Sequence, residues 1–328
     1  MPSRKDHMHH PTEPVEIEPG MTTDELLRRM EKISFQGRQL ARSAKVWETA
    51  LRSDGFIVMG LAGAMSAAGM RNLVAGLIEH GYIDCLVATG ANLFHDVYES
   101  FGHHHFLGSP DADDEELFEH NLDRIYDTYA DEREFEKLDE WIGEWATTRL
   151  EKRPYTTREF IYELGLEVDR VSGGNTPGIV TTAARHNLPV YCPAIGDSSI
   201  GLGLAVRKEG FYFDIIEDVR ETGEMVVGKD TMVLYCGGGT PKNFIQQTEV
   251  TVKLVKRETA GHKWAVQFIT DSPQWGGLSG CTFSEAVSWG KIDPAGEQVT
   301  VHCDTTIALP VVASAVMSRV APRRRAGG

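Results

Sequence analysis

Residues 284–292, Ser-Glu-Ala-Val-Ser-Trp-Gly-Lys-Ile, bring together the groups best suited to covalent chemistry. Lys291 follows Gly290, stands two residues after Trp289 and six after Glu285. A lysine among Ala286, Val287 and Trp289 is desolvated, and desolvation favours its uncharged form. The neutral amine is the nucleophile that forms an imine with a carbon electrophile. Gly290 leaves room for a ligand beside the backbone. The same nine residues also read as packing alone: a partly buried lysine whose stem lies on a tryptophan while its ammonium reaches water.

The elements that must position this lysine follow from hydrophobic periodicity. FIVMGLAG (56–63) reads as a buried strand running into a glycine turn, and residues 64–81 as a small-residue helix. The pattern returns at 83–92, at 188–196, at 231–247 with its Gly237-Gly238-Gly239 turn, at 265–273 and at 299–320. Strands alternating with helices predict an α/β fold: one large domain with a mainly parallel, Rossmann-like sheet flanked by helices. Further helices are expected from Thr23, over 37–53, over 156–168 and after the loop at 172, and the acidic stretch 111–152 reads as two surface helices. A GxGxxG fingerprint is absent. Repeatedly, though, a strand ends in glycine, threonine or aspartate, and a row of polar strand ends makes a nucleotide-sized crevice. Small residues at these turns present backbone N–H groups to a phosphate, and close helix–sheet packing explains them equally well.

Composition narrows the classes. The chain has 328 residues and a formal net charge of −15, which argues against nucleic acid and suits cationic ligands. No apolar run reaches the ~18–20 residues of a membrane span, and the start lacks the apolar core of a signal peptide, so a cytoplasmic protein without membrane association is expected. Five cysteines without CxxC pairing read as reduced thiols. Consecutive His103, His104 and His105 cannot all face one ion from a regular strand, so no metal site is expected. Residues 21–320 form the expected domain, between tails at 1–20 and 321–328.

With these residues in view, the chain resembles the deoxyhypusine synthase family. SEAVSWGKI is similar to that family's active-site lysine motif, and YCGGGTPKN, PVYCPAIGDSSIG, DSPQWGGLSG and VHCDTTIALP resemble further blocks in the same order. The resemblance implies an NAD-dependent enzyme, a homotetramer with active sites at subunit interfaces, that transfers an aminobutyl group from spermidine through a lysine imine. Carried over, Lys291 is the nucleophile, with Glu285 and Trp289 lining the donor pocket and His95, Asn243, Gly277 and Leu278 at further substrate positions. NAD would contact Gly63, Ala64, Met65, Ser66 and Ala67 after the first strand and Thr89, Gly90 and Ala91 after the second. It would also contact Asp197, Gly238, Thr270, Asp271, Asp304 and Thr305 at later strand ends.

The chain departs from the family pattern at defined places. Leu93-Phe94-His95-Asp96 stands where it has a pair of glutamates, Leu202 replaces an aspartate, Asn243 a histidine and Leu278 an acid. Loss of charge in the donor pocket beside an intact lysine block points to a transferase joining small amines, with a homospermidine-type product. The alternatives are a true deoxyhypusine synthase, acting on a lysine of a translation-factor precursor, and a noncatalytic protein binding NAD or polyamine.

Overall fold

The computed structural model describes residues 8, 10–174, 177–207 and 210–323. Apart from Phe56, every residue of β1 (Phe56–Leu61) and β7 (Thr231–Cys236) is buried, as strands covered on both faces must be. The two pair in parallel from Phe56↔Thr231 to Leu61↔Cys236. β2 (Cys85–Ala88) and β6 (Val190–Tyr191) continue the sheet beyond β1, and β8 (His262–Ile269) and β9 (Ile292–His302) continue it beyond β7, all in parallel. Chain progression therefore reverses between β1 and β7, the switch point at which open α/β sheets bind ligands.

Alternate side chains divide between two apolar layers. Ile57, Met59, Leu61, Met232, Leu234 and Phe268 join the larger core, which α2 (Phe35–Arg52), α3 (Arg71–Glu79), α4 (Gly90–Ser100) and α13 (Thr305–Arg319) close. Val58, Val233, Tyr235 and Ala265 face the other way, against Ile245 of α11 (Gly239–Leu254) and Phe283 and Ala286 of α12 (Phe283–Ser288). The helix-flanked parallel sheet is the one that the strand–turn–helix repetition predicts. The remaining helices are α1 (Thr23–Met30), α5 (Asp114–Glu119), α6 (Glu132–Arg149), α7 (Thr157–Ser172), α8 (Ile179–Arg185), α9 (Ser199–Ala205) and α10 (Ile215–Val226). Among the described residues, no helix is long and apolar enough to cross a membrane.

Two segments differ from expectation. The helix predicted over 64–81 is broken: a π-helical turn over Ser66–Met70, with Gly69 at φ +84°, precedes α3. The stretch 111–152 does hold two helices, α5 and α6, but they are not all of it. Between α5 and α6 it holds β4 (Leu122–Ile125) and β5 (Thr128–Asp131), and β5 also pairs with β3 (Phe106–Leu107) in a separate antiparallel sheet. The hairpin turns at Tyr126-Asp127, with Tyr126 at φ +55°, so the Asn-Gly signal of a tight hairpin is missing and the dense charge hides the strand alternation.

The expected tails fall partly outside the described residues, at 1–7, 9 and 324–328. Within the described parts, Lys32 pairs with Glu13, and Arg323 reaches the Gly81 and Gly55 carbonyls and the Asp84 carboxylate.

A buried polar joint ties α3, α4 and α8 together. Asp96 accepts from the Ile179 and Val180 amides at 2.7 and 2.8 Å, capping the start of α8, and takes the Arg71 guanidinium at 2.8 Å. Asp96→Ala strips that carboxylate from a buried arginine and two helix amides together. A loss of about 3–5 kcal/mol is expected in urea unfolding, whereas a loss below about 1 kcal/mol would mean that the joint is dispensable.

Candidate functional site

A crevice of about 170 Å³ opens at the carboxyl ends of the central strands, lined by Ala62, Gly63, Met65, Gly237, Thr270, Asp304 and Thr305 among others. Its floor is fixed by Asn92. The Asn92 amide donates to the Leu61 and Gly63 carbonyls and to Thr89 Oγ1, while its carbonyl accepts from the Ser66 amide. Thr89 caps α4 and donates to the Gly63 carbonyl at 2.6 Å. Asp304 caps α13 by accepting from the Thr306 amide at 2.8 Å. Two helix N-termini, two glycine turns and a strand-end carboxylate thus share one edge. This donor set suits a dinucleotide: N–H groups for its phosphates and a carboxylate for a ribose hydroxyl.

Not every expected cofactor residue faces this space. Ser66 and Ala67 are buried, and both the amide and the hydroxyl of Ser66 are committed to Asn92. Gly90 and Ala91 lie in the first turn of α4, Ala64 in the turn after β1, and Asp197 and Asp271 on exposed loops after β6 and β8. Gly238 answers to the chain's own packing, since a Cβ there would meet the Ser279 Cα at 2.4 Å. Gly238→Val therefore displaces the loop after Trp275 and is a poor probe of cofactor contact.

The lysine block is a helix with both ends capped. Thr282 and Glu285 form a capping box at the start of α12, in which the Thr282 amide and hydroxyl donate to Glu285 Oε2 at 2.8 and 2.9 Å. Those bonds hold the exposed Glu285 carboxyl below the usual carboxylate range. At the other end, the Gly290 amide donates to the Val287 carbonyl and the Lys291 amide to the Ala286 carbonyl, with Gly290 at φ +67°. This is the Schellman ending, and it explains Gly290 without any ligand. It also aims Lys291, which is only 8% exposed although Trp289 is 70% exposed. Lys291 Nζ lies 5.4 Å from the Trp289 ring centre, within cation–π reach.

Crevice and lysine are separate within one chain. The Lys291 carbonyl accepts from the His262 amide at the beginning of β8, whereas Thr270 and Asp304 follow the far ends of β8 and β9. The 8 residues of β8 span about 23 Å, far beyond a four-carbon stem. Gly277 and Leu278 sit on the exposed loop before α12, Asn243 is half-buried in α11, and His95 is buried in α4.

Sequence reasoning missed Lys242, one residue before Asn243. It is 1% exposed, and its ammonium donates to Gln267 Oε1, the Ser279 carbonyl and the Cys281 carbonyl at 3.0, 3.2 and 2.5 Å. Burial pushes the Lys242 amine down to about 8. Only its place after the triple glycine marked it. Asn92 was missed too; the signal was an asparagine three residues after a threonine helix cap.

A doubly wound sheet with a crevice at its switch point and a buried, helix-aimed lysine is an α/β scaffold of the nucleotide-binding type. The profile of the deoxyhypusine synthase family matches residues 25–316. The chain is 47% identical over 332 residues to a Methanosarcina acetivorans protein named probable deoxyhypusine synthase 2, covering 96% of this chain and 95% of that one. It is 47% identical to an Archaeoglobus fulgidus protein of the same name, covering 87% and 94%. It is 37% identical to a Coxiella burnetii deoxyhypusine synthase-like protein, covering 88% and 84%. Among solved structures, a protein from Entamoeba histolytica designated a deoxyhypusine synthase superimposes with a TM-score of 0.65 at 16% identity, covering 95% of this chain and 98% of that one. The chain belongs to the deoxyhypusine synthase family, a family of NAD-dependent aminobutyl transferases.

The Lys242 amine gives a signed pH dependence. Its folded value, about 8, lies below the ordinary 10.5, so between those values the unfolded chain binds the extra proton. Stability should rise with pH across that window in the native protein. The rise should be smaller in Lys242→Met, when urea unfolding is compared at intervals between these limits. Equal slopes in the two proteins would contradict the assignment.

Proposed function

We propose that the protein is an NAD-dependent transferase that moves an aminobutyl-type group from a spermidine-like donor, through an imine on Lys291, to a small amine. The observation that carries this reading is a buried lysine amine, aimed by a Schellman ending, in a chain whose strand-end crevice suits a dinucleotide. NAD, when bound, supplies the two-electron acceptor for the donor amine and the reductant that completes the product. The crevice residues Gly63, Thr270, Asp304 and Thr305 hold that cofactor. At Lys291, Nζ replaces the departing nitrogen at the imine carbon of the oxidised donor and releases the rest of the donor as a free amine. The acceptor nitrogen then replaces Nζ. Trp289 offers a cation–π face to the polyamine and Glu285 a carboxylate.

A small-amine acceptor is supported by Leu202 and Leu278. Both are exposed apolar side chains, 58% and 52%, at positions where the family resemblance leads one to expect acids. The second reading, a true deoxyhypusine synthase, is favoured by the names of relatives 47% identical to this chain. The same proposal takes residues 21–320 as one catalytic domain. It sets that domain in a reducing, cytoplasmic compartment, which the five free cysteines suit.

Because the crevice and Lys291 lie at opposite ends of β9, two copies complete each site, as in a homotetramer with interface active sites. At about 170 Å³ the crevice of one chain is also smaller than the ~300–1,000 Å³ of ordinary ligand pockets.

Incubation with NAD and labelled spermidine, with and without putrescine, should label a small product and leave added translation-factor precursor unlabelled. Label in the precursor would favour the second reading, and no transfer to either would remove both. Co-expressed Lys291→Arg and Thr270→Trp chains, each inactive alone, should regain activity as mixed oligomers. A folded but inactive mixed oligomer would contradict the shared site.

A further inference from the structure

The turn that carries Lys291 is held by α11 as well as by the caps of α12. The parallel ladder between β8 and β9 runs from Ile269↔His302 back to Trp264↔Glu297, and His262 then pairs with Ile292. Between those last two pairs β8 advances two residues and β9 five, so three residues of β9 are looped out. Lys291 and Ile292 therefore lie beyond an excursion, out of reach of the main ladder. They meet β8 through the His262 amide, which donates to the Lys291 carbonyl at 3.0 Å. Gly261, at φ +97°, lets the two chains close up: a Cβ there would meet the Ile292 carbonyl carbon at 2.6 Å and the Asp293 nitrogen at 2.8 Å.

That contact is only as firm as His262, and Glu249 of α11 secures it. His262 Nδ1 lies 2.8 Å from Thr231 Oγ1 and 3.1 Å from Glu249 Oε1, and the Thr259 hydroxyl donates to Glu249 Oε2. Glu249, His262 and Thr231 are all buried. One carboxylate thus grips the chain on both sides of Gly261. Burial holds the His262 ring below the ordinary imidazole range, so at neutral pH it is uncharged and meets the carboxylate as an N–H donor. Four residues further along α11, Lys253 Nζ donates to the Gly290 carbonyl at 2.9 Å. Two successive carbonyls, those of Gly290 and Lys291, are therefore fixed from α11, the first directly and the second through His262.

We propose that Glu249, His262 and Lys253 are positioning residues for the covalent step: they set where the Lys291 turn stands against the sheet, and so where Nζ stands, without touching substrate. This rests on the aminobutyl-transfer reading and adds residue roles to it. The caps of α12 fix the direction in which Lys291 leaves the helix, and the grip from α11 fixes the position of the turn. Both are needed, because attack on an imine carbon requires Nζ about 3–3.5 Å away, and a misplacement of about 1 Å costs on the order of 100-fold in rate. A purely structural pair would behave differently. It would raise resistance to urea and leave the reactivity of the folded protein unchanged.

The test uses full-length protein with saturating NAD and spermidine, and follows the rate at which borohydride traps an adduct on Lys291. Because the donor saturates, any slowing reports the attack and not the binding. Glu249→Leu should slow trapping about tenfold or more, and Lys253→Met, which removes an exposed side chain, about fivefold. NAD affinity should hold in both, since the crevice lies at the other end of β8. Glu249→Gln, whose amide oxygen still accepts from His262, should recover most of the rate. Either of the first two variants, folded and within about twofold of the native rate, overturns the proposal, and Lys253→Met keeps that test available if Glu249→Leu does not fold. A glutamine variant as slow as the leucine one assigns the effect to charge and not to position, and also overturns it. In each of these cases the adduct on native Lys291 leaves the transfer reading standing. If the native protein traps no adduct there, the functional reading falls and these roles fall with it.

Discussion

Parallel pairing of β1 with β7 is the constraint on which the rest of the molecule depends. Two adjacent strands that run the same way must both end at one edge, and their following helices pass to opposite faces of the sheet. The ladder continues into the turns: the Ala62 amide donates to the Cys236 carbonyl at 3.0 Å, and the Gly237 amide to the Phe268 carbonyl at 2.9 Å. Three strand ends are thereby held at one level, and Asn92 ties the first of them to α4. A cofactor crevice follows from this geometry with few side chains dedicated to it.

Buried cations stabilise the supports of the site in two different ways. Arg71 is met by a carboxylate, Asp96, which also caps a helix, so charge and amides are satisfied together. Lys242 is met by carbonyl oxygens instead: Gln267 and the main chain at Ser279 and Cys281. Carbonyl dipoles compensate an ammonium less fully than a carboxylate does, and its depressed pKa is the consequence. The loop it pins leads directly into Thr282 and the capping box of α12, so the aim of Lys291 depends on this ammonium as well as on Gly290.

Much of the sheet was legible because buried strands leave unbroken apolar runs, as in residues 57–61 and 231–236, and because glycine follows them. The antiparallel sheet of β3, β4 and β5 was not legible, since its strands are short, β4 and β5 carry charges, and those two are joined without a glycine turn. The lysine motif was legible as a motif, but the reason for Gly290 was not: a Schellman ending is recognised from φ and two backbone bonds. Gly238 is expected from the resemblance to contact the cofactor, whereas the nearest obstacle to a side chain there is Ser279. Lys242 and Asn92 depend on contacts across the fold, and no local spacing announces them.

The central claim is that Lys291 carries the transferred group covalently. Its most direct test is to incubate the native enzyme with NAD and spermidine, reduce with borohydride, and map the modified lysine by mass spectrometry. The account predicts an aminobutyl adduct on Lys291, absent when NAD is omitted and absent in Lys291→Arg, which keeps a positive charge but forms no such imine. An adduct mapped to Lys242 or another lysine, or a Lys291→Arg protein that still transfers the group, would contradict it.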